Sequence, residues 1–127
     1  MIALDGSAIF AVLLGEAAGT ACRNAMDSDE ELLLSAGSLT ELLIVATGKG
    51  VLGVTQGFLA ALRPTIVPLT EARALAAADT YRRWGKGFHP AALNFGDSFA
   101  YAIAKEFNCQ LLFTGGDFAQ TDVVAAI

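Results

Sequence analysis

Short apolar runs alternate with longer helix-favouring stretches along this chain, and that rhythm restricts the fold more than any other feature of the sequence. Ile2-Ala3-Leu4 is a brief apolar run closed by Asp5-Gly6, and Ser7 opens an apolar helical stretch to Glu16. A second helix is predicted over Glu16 to Met26. Leu32-Leu33-Leu34 reads as a buried strand, and Ser38 starts a helix reaching Thr47. After the Gly48-Lys49-Gly50 break a further helical run extends to Leu62. Thr65-Ile66-Val67-Pro68-Leu69 is a β-branched strand, and Thr70 caps a helix ending near Trp84. Gly85 to Leu93 forms a loop, Asn94 starts a helix to about Asn108, and Gln110 to Phe113 is the last strand before Gly115-Gly116. Strands that alternate with helices need crossover connections, which give a parallel sheet covered on both faces. The expected fold is therefore α/β: a three-layer α/β/α sandwich with a mainly parallel sheet. A length of 127 residues suits one domain, taken as residues 1–127.

Composition removes several classes of function. Hydrophobic residues make up 54% of the chain, yet no uncharged apolar run approaches the roughly 18 residues of a membrane span. The longest, Ala8 to Ala21, is broken by Glu16 and two glycines. The start of the chain has no basic leader and carries Asp5, so a signal peptide is not expected. Cys22 and Cys109 fit neither a zinc pattern nor a disulfide framework. Both are expected to be reduced, buried thiols, which suits a cytoplasmic protein. A net charge of −5 argues against gripping nucleic acid by bulk attraction. The surplus of apolar residues points instead to a self-association face, most simply a two-fold dimer.

The acids divide into a solvated run, Asp27 to Glu31, and singletons set in apolar sequence. Asp5 follows the first strand directly, at the carboxyl edge where open parallel sheets bind ligands. It is equally suited to capping the helix that follows. Glu41 stands in Ser38-Leu39-Thr40-Glu41, which matches a capping box, and Asp97 stands in the similar Asn94-Phe95-Gly96-Asp97. Capping accounts for each acid alone. If all three open helices at one sheet edge, however, their carboxylates converge and repel one another. Clustered carboxylates without histidine or cysteine companions suit hard ions such as Mg²⁺ or Mn²⁺. Asp117, after the last strand and its glycine turn, and Asp122 are further candidate ligands or turn formers. Gly48-Lys49-Gly50 lacks the spacing of a phosphate loop. Ser98 lacks a nucleophile-elbow context, which disfavours a serine hydrolase.

These segments together resemble the PIN-domain family, and within it the VapC-type toxins of bacterial toxin–antitoxin pairs. The likeness runs through Leu4-Asp5-Gly6-Ser7-Ala8, Leu39-Thr40-Glu41, Tyr81 to Asp97 with its Asn94-Phe95-Gly96-Asp97 core, and Leu111 to Phe118. The resemblance implies an endoribonuclease dependent on Mg²⁺ or Mn²⁺ and inhibited by a small antitoxin protein. It assigns Asp5, Glu41 and Asp97 to the metal site and offers Asp117 as a fourth ligand. The chain departs from the pattern at Gly116, where many relatives carry an acid before the Asp-Phe pair. Metal-activated water would then attack an RNA phosphodiester, with no need for a side chain that titrates near neutrality.

The basic residues Arg82, Arg83 and Lys86 beside the glycine-rich loop are candidate RNA phosphate contacts. They serve equally well as the cationic end of a helix. His89, before a proline, reads as a loop hydrogen-bonding residue. Tyr81 and Trp84 read as packing residues ahead of base-stacking ones. Ser7 and Ser98 each suit either a supporting hydrogen bond or plain helix-start chemistry. An antitoxin for such a site would present a hydrophobic helix and an arginine for the acidic pocket. Two rival readings are a phosphoryl-transfer enzyme with Asp5 as nucleophile and a catalytically weakened partner-binding relative.

Overall fold

A computed structural model describes residues 1–127. Its elements are β1 (Ile2–Leu4), α1 (Gly6–Leu13), α2 (Gly19–Met26), β2 (Leu32–Ser35), α3 (Ala36–Gly48), α4 (Leu52–Leu62), β3 (Thr65–Val67), α5 (Glu71–Trp84), α6 (Phe95–Glu106) and β4 (Gln110–Leu112). A single 3-10 turn over Phe118–Gln120 follows. All four strands are parallel, in the order β3-β2-β1-β4.

The strand side chains alternate between two cores, as the two-residue period of a strand requires. Ile2, Leu4, Leu32, Leu34 and Leu112 point to one face, where Ala8, Ile9, Cys22, Met26 and Leu42 of α1, α2 and α3 cover them. Ala3, Leu33, Val67 and Leu111 point to the other, against Ala100, Tyr101, Ile103 and Ala104 of α6. A parallel sheet buried on both faces has no polar face to show, which explains runs such as Leu32-Leu33-Leu34. The architecture is the expected three-layer sandwich. No helix is long and apolar enough to cross a membrane.

Several boundaries differ from the sequence reading. α1 stops at Leu13, because Gly15 takes a left-handed turn (φ 64°), and α2 begins only at Gly19. A side chain at Gly19 would meet the backbone of Ala11, so glycine permits this tight helix–helix approach. The largest difference is in α3. Ser35, not Ser38, is its N-cap, accepting from the Gly37 N–H at 3.2 Å. Ser38 already lies inside the helix, and its buried hydroxyl has no hydrogen-bond partner. The contact that favours the earlier start is remote in sequence. Gly37 lies flat against the Phe99 ring of α6, where any side chain would collide with it.

The strand order places the site. The chain winds from β1 through β2 to β3 on one side and then crosses back to β4 on the other, so the winding reverses between β1 and β4. Such a switch point leaves a crevice between the diverging loops. The segments that enter it are the β1–α1 corner, the stretch after β4, and the first turn of α6.

Candidate active site

Asp5 is the N-cap of α1 and is only 7% exposed. Its Oδ2 accepts from the Ser7 N–H at 3.0 Å and from the Ser7 hydroxyl at 2.6 Å. Ser7 Oγ in turn accepts from the Thr114 N–H at 3.1 Å. One hydroxyl thus ties the start of α1, the carboxylate and the exit of β4 together. Asp97, 8% exposed, completes a true capping box: its Oδ2 accepts from the Asn94 N–H at 3.0 Å, and the Asn94 Oδ1 accepts from the Asp97 N–H at 2.9 Å. Both residues cap a helix and still line the same cavity. Each uses Oδ2 for the cap and keeps Oδ1 free of protein hydrogen bonds.

Glu41 arrives by another route. With α3 starting at Ala36, it lies in the second turn and makes no capping box with Ser38. Its carboxylate rests on the backbone of Gly96 in the first turn of α6, in the space a methyl group there would fill. Asp117 is exposed and heads the 3-10 turn without capping it. Asp5, Glu41, Asp97 and Asp117 come from four separate segments and all line one cavity of about 280 Å³, shared with Ser7, Asn94 and Thr114.

Burial and crowding raise three of these carboxyls. Burial pushes Asp97 from the usual carboxylate range up to about 7; the charges of Asp5, Asp117 and Glu41 push the same way, against the lowering hydrogen bond from Asn94. Burial also raises Asp5, opposed by its bonds from Ser7 and reinforced by Asp117. Burial first, then the Asp5 charge, raises Glu41. Carboxylates that repel one another do not close into a three-ligand cage by themselves, and none is formed. The donor set is all oxygen, anionic and partly desolvated. That chemistry fits a hard divalent cation, which keeps several of its waters and needs few protein ligands.

The basic residues lie outside this cavity. Arg82 pairs with Asp79 one turn back on α5. Arg83 lies 4.7 Å over the Trp84 ring and 3.7 Å from Asp122. Lys86 is exposed in the loop after α5. Asp122 is occupied elsewhere: it accepts from the Tyr101 hydroxyl and pairs with Lys105 and Arg83, and these partners hold its carboxyl below the usual range. His89 Nδ1 accepts from the Ala91 N–H at 3.0 Å, the loop role read from sequence. Trp84 donates from Nε1 to Tyr101 at 3.0 Å, and Tyr81 meets Phe88 edge-on, so both aromatics pack. Ser98 donates to the Phe95 carbonyl at 2.6 Å, which is helix-start chemistry. Cys22 is buried as expected, while Cys109 is only half-buried. Sequence reasoning missed Gly96 and Thr114, because each matters through a neighbour that is distant along the chain.

The model of the PIN domain family matches residues 2–124. The chain belongs to the PIN-domain family. Curated relatives carry VapC ribonuclease names. One, from Rhizobium meliloti, is 37% identical over 94% of this chain and 97% of its own length. Another, from Mycolicibacterium smegmatis, is 37% identical over 96% and 97%. Among solved structures, the VapC20 toxin of Mycobacterium tuberculosis, described as cleaving the sarcin–ricin loop, superimposes with a TM-score of 0.78 at 18% identity, covering 98% of this chain and 97% of its own. A toxin–antitoxin complex from Klebsiella pneumoniae gives 0.74 at 15% identity, with 99% and 97% coverage. At these identities the structures speak to the fold alone, the α/β sandwich that all three share.

Proposed function

We propose that this PIN domain is the ribonuclease toxin of a toxin–antitoxin pair, hydrolysing RNA phosphodiesters with Mg²⁺ or Mn²⁺ held by Asp5, Glu41, Asp97 and Asp117. One observation carries the reading: four acids from four segments share one cavity at the switch point of the sheet, and three of them are raised by burial and by one another's charge. A divalent ion bound there supplies a water acidic enough to act as nucleophile and offsets charge on the departing oxygen. The chain's own part is orientation. Ser7 holds Asp5, the Asn94 backbone holds Asp97, and Gly96 leaves room for Glu41. Asp117, exposed at the mouth, is the loosest ligand. The relatives' VapC names support the toxin reading, and the acidic edge supports the chemistry.

RNA phosphates beyond the scissile one would meet cations rather than the acidic cavity. Arg82, Arg83 and Lys86 at the end of α5 are proposed for that contact, with Arg82 and Arg83 first leaving their pairs with Asp79 and Asp122. An antitoxin is proposed for the apolar cleft between α3, α5 and α6. There Leu69, Phe95 and Phe99 line adjoining cavities of about 420 and 320 Å³, the second of which reaches Glu41. A cytoplasmic location and a homodimer complete the proposal.

Cleavage of a defined single-stranded RNA, with chelator and then with added Mn²⁺, tests the reading. Asp5→Asn, Glu41→Gln and Asp97→Asn should each slow cleavage on the order of 10²–10³-fold, as when one group that stabilises transition-state charge is lost. Normal rates in all three, or activity indifferent to chelator, would leave the phosphoryl-transfer or partner-binding readings in its place.

A further inference from the structure

We infer that Gly96 is a positioning residue that sets Glu41 in the acidic cavity: the missing side chain at 96 is the seat of the Glu41 carboxylate. The inference rests on the ribonuclease reading and specifies how one of its ligands is held. A methyl group at position 96 would overlap both carboxylate oxygens and the carboxyl carbon of Glu41. Backbone conformation does not account for glycine here, since its φ lies outside the left-handed region that favours this residue. Glycine within a helix is ordinarily a cost, because the chain loses more freedom on folding and gains no side-chain packing. Its presence at the second position of α6 is therefore explained by what it admits.

The admitted group has few other supports. Glu41 projects from the second turn of α3 and forms no hydrogen bond or ion pair. Asp5 and Asp97, by contrast, are each held through Oδ2. Contact with the first turn of α6 places the Glu41 carboxylate at the positive end of that helix's dipole, a favourable site for an anion. Gly37 provides the complementary fit. By admitting the Phe99 ring against α3 it fixes how closely α3 and α6 approach, and Gly96 then takes the carboxylate in the remaining space.

Because a glutamate side chain is flexible, Gly96→Ala should expel the carboxylate instead of breaking the fold. The thermal midpoint of metal-free Gly96→Ala should equal or exceed that of the wild type, since alanine favours helix. Its Mn²⁺ affinity by calorimetry should fall at least as far as in Glu41→Gln. A crystal structure of the metal-free variant should show Glu41 turned out of the cavity. Glu41→Asp in the Gly96→Ala background, shorter by one methylene, should recover part of the lost affinity, whereas Glu41→Asp alone should weaken binding. A merely structural glycine would lower the midpoint and would gain nothing from the shorter acid. Gly96→Ala with wild-type Mn²⁺ affinity and an unmoved Glu41 overturns this inference while sparing the ribonuclease reading. Wild-type protein that binds no Mn²⁺ and cuts no RNA overturns both.

Discussion

Asp97 is held by two opposing demands, a cap that wants its charge and a cavity that resists it. Its pKa near 7 says that the cavity wins in the metal-free protein. Between the ordinary carboxylate range and about pH 7 the folded protein keeps a proton that the unfolded chain has released. Its contribution to metal-free stability is therefore full at low pH and lost as pH rises through that window. Metal must displace the same proton, so Mn²⁺ affinity should climb from pH 5 to 7 and level above it. Asp97→Asn keeps an acceptor for the Asn94 N–H and removes the charge. At 1.36 kcal/mol per pKa unit, and discounted for partial solvent screening, it should stabilise the metal-free protein by roughly 1–3 kcal/mol at pH 8. At pH 5, where Asp97 is already neutral, the gain should vanish. Urea melts at the two pH values check both signs. Asp117 is exposed and has Gly116 beside it in place of a second acid, so Asp117→Asn should cost less Mn²⁺ affinity than Asp97→Asn. Calorimetry that finds an equal or larger loss at Asp117 would reverse that ranking. Ser7→Ala removes the hydroxyl that joins Asp5 to Thr114. Losing such a supporting bond should weaken metal binding by about 10–100-fold, with stability falling by about 1–2 kcal/mol.

At the scale of elements, the legible parts are those decided locally. Strands buried on both faces announce themselves as unbroken apolar runs, and Asp5 and Asp97 sit at helix starts marked by cap chemistry. Glu41 lies in the second turn of α3, so the capping box that its local sequence suggests is not formed. Ser35 and Ser38 are both competent caps, and the helix that starts at Ser35 packs Gly37 against Phe99, a contact no local pattern contains. Asp122 could not be separated from the candidate ligands because its partners, Arg83, Lys105 and Tyr101, lie on two helices. The end of α5 poses the same problem in reverse. A cationic cluster in sequence becomes Arg82 paired along the helix, Arg83 laid on Trp84, and only Lys86 unpaired. If these residues serve RNA, Arg82→Ala and Lys86→Ala should raise KM several-fold while leaving kcat nearly unchanged, the signature of uniform binding. Steady-state cleavage at two salt concentrations measures it, and a loss confined to kcat would move these residues out of the binding role.

Across the whole molecule, an acidic chain carrying 54% hydrophobic residues exposes several large apolar side chains, and Ile44, Leu69 and Phe95 meet in one cleft. Phe95 is 75% exposed and Ile44 67%, and both border the cleft between α3, α5 and α6 that leads to Glu41. Large exposed apolar side chains that converge on one cleft mark a docking surface. A hydrophobic helix laid there would bring a basic side chain within reach of the carboxylates, where an arginine can engage two at once. The proposed inhibition is then competition with metal for Asp5, Glu41 and Asp97, driven by burial in the neighbouring cleft. Ile44→Asp separates the two parts. Its own carboxylate lies on the cleft and not in the cavity, so the isolated toxin should still cut RNA within about threefold of the wild type. The antitoxin, forced to bury a charge against its apolar helix, should bind more weakly by about 2 kcal/mol or more, roughly a thirtyfold loss. Titration of the co-expressed antitoxin into each toxin, with cleavage as the second readout, measures both quantities. Undiminished inhibition of Ile44→Asp would move the antitoxin to another face, and sedimentation of the toxin alone would then show whether a second copy covers this cleft.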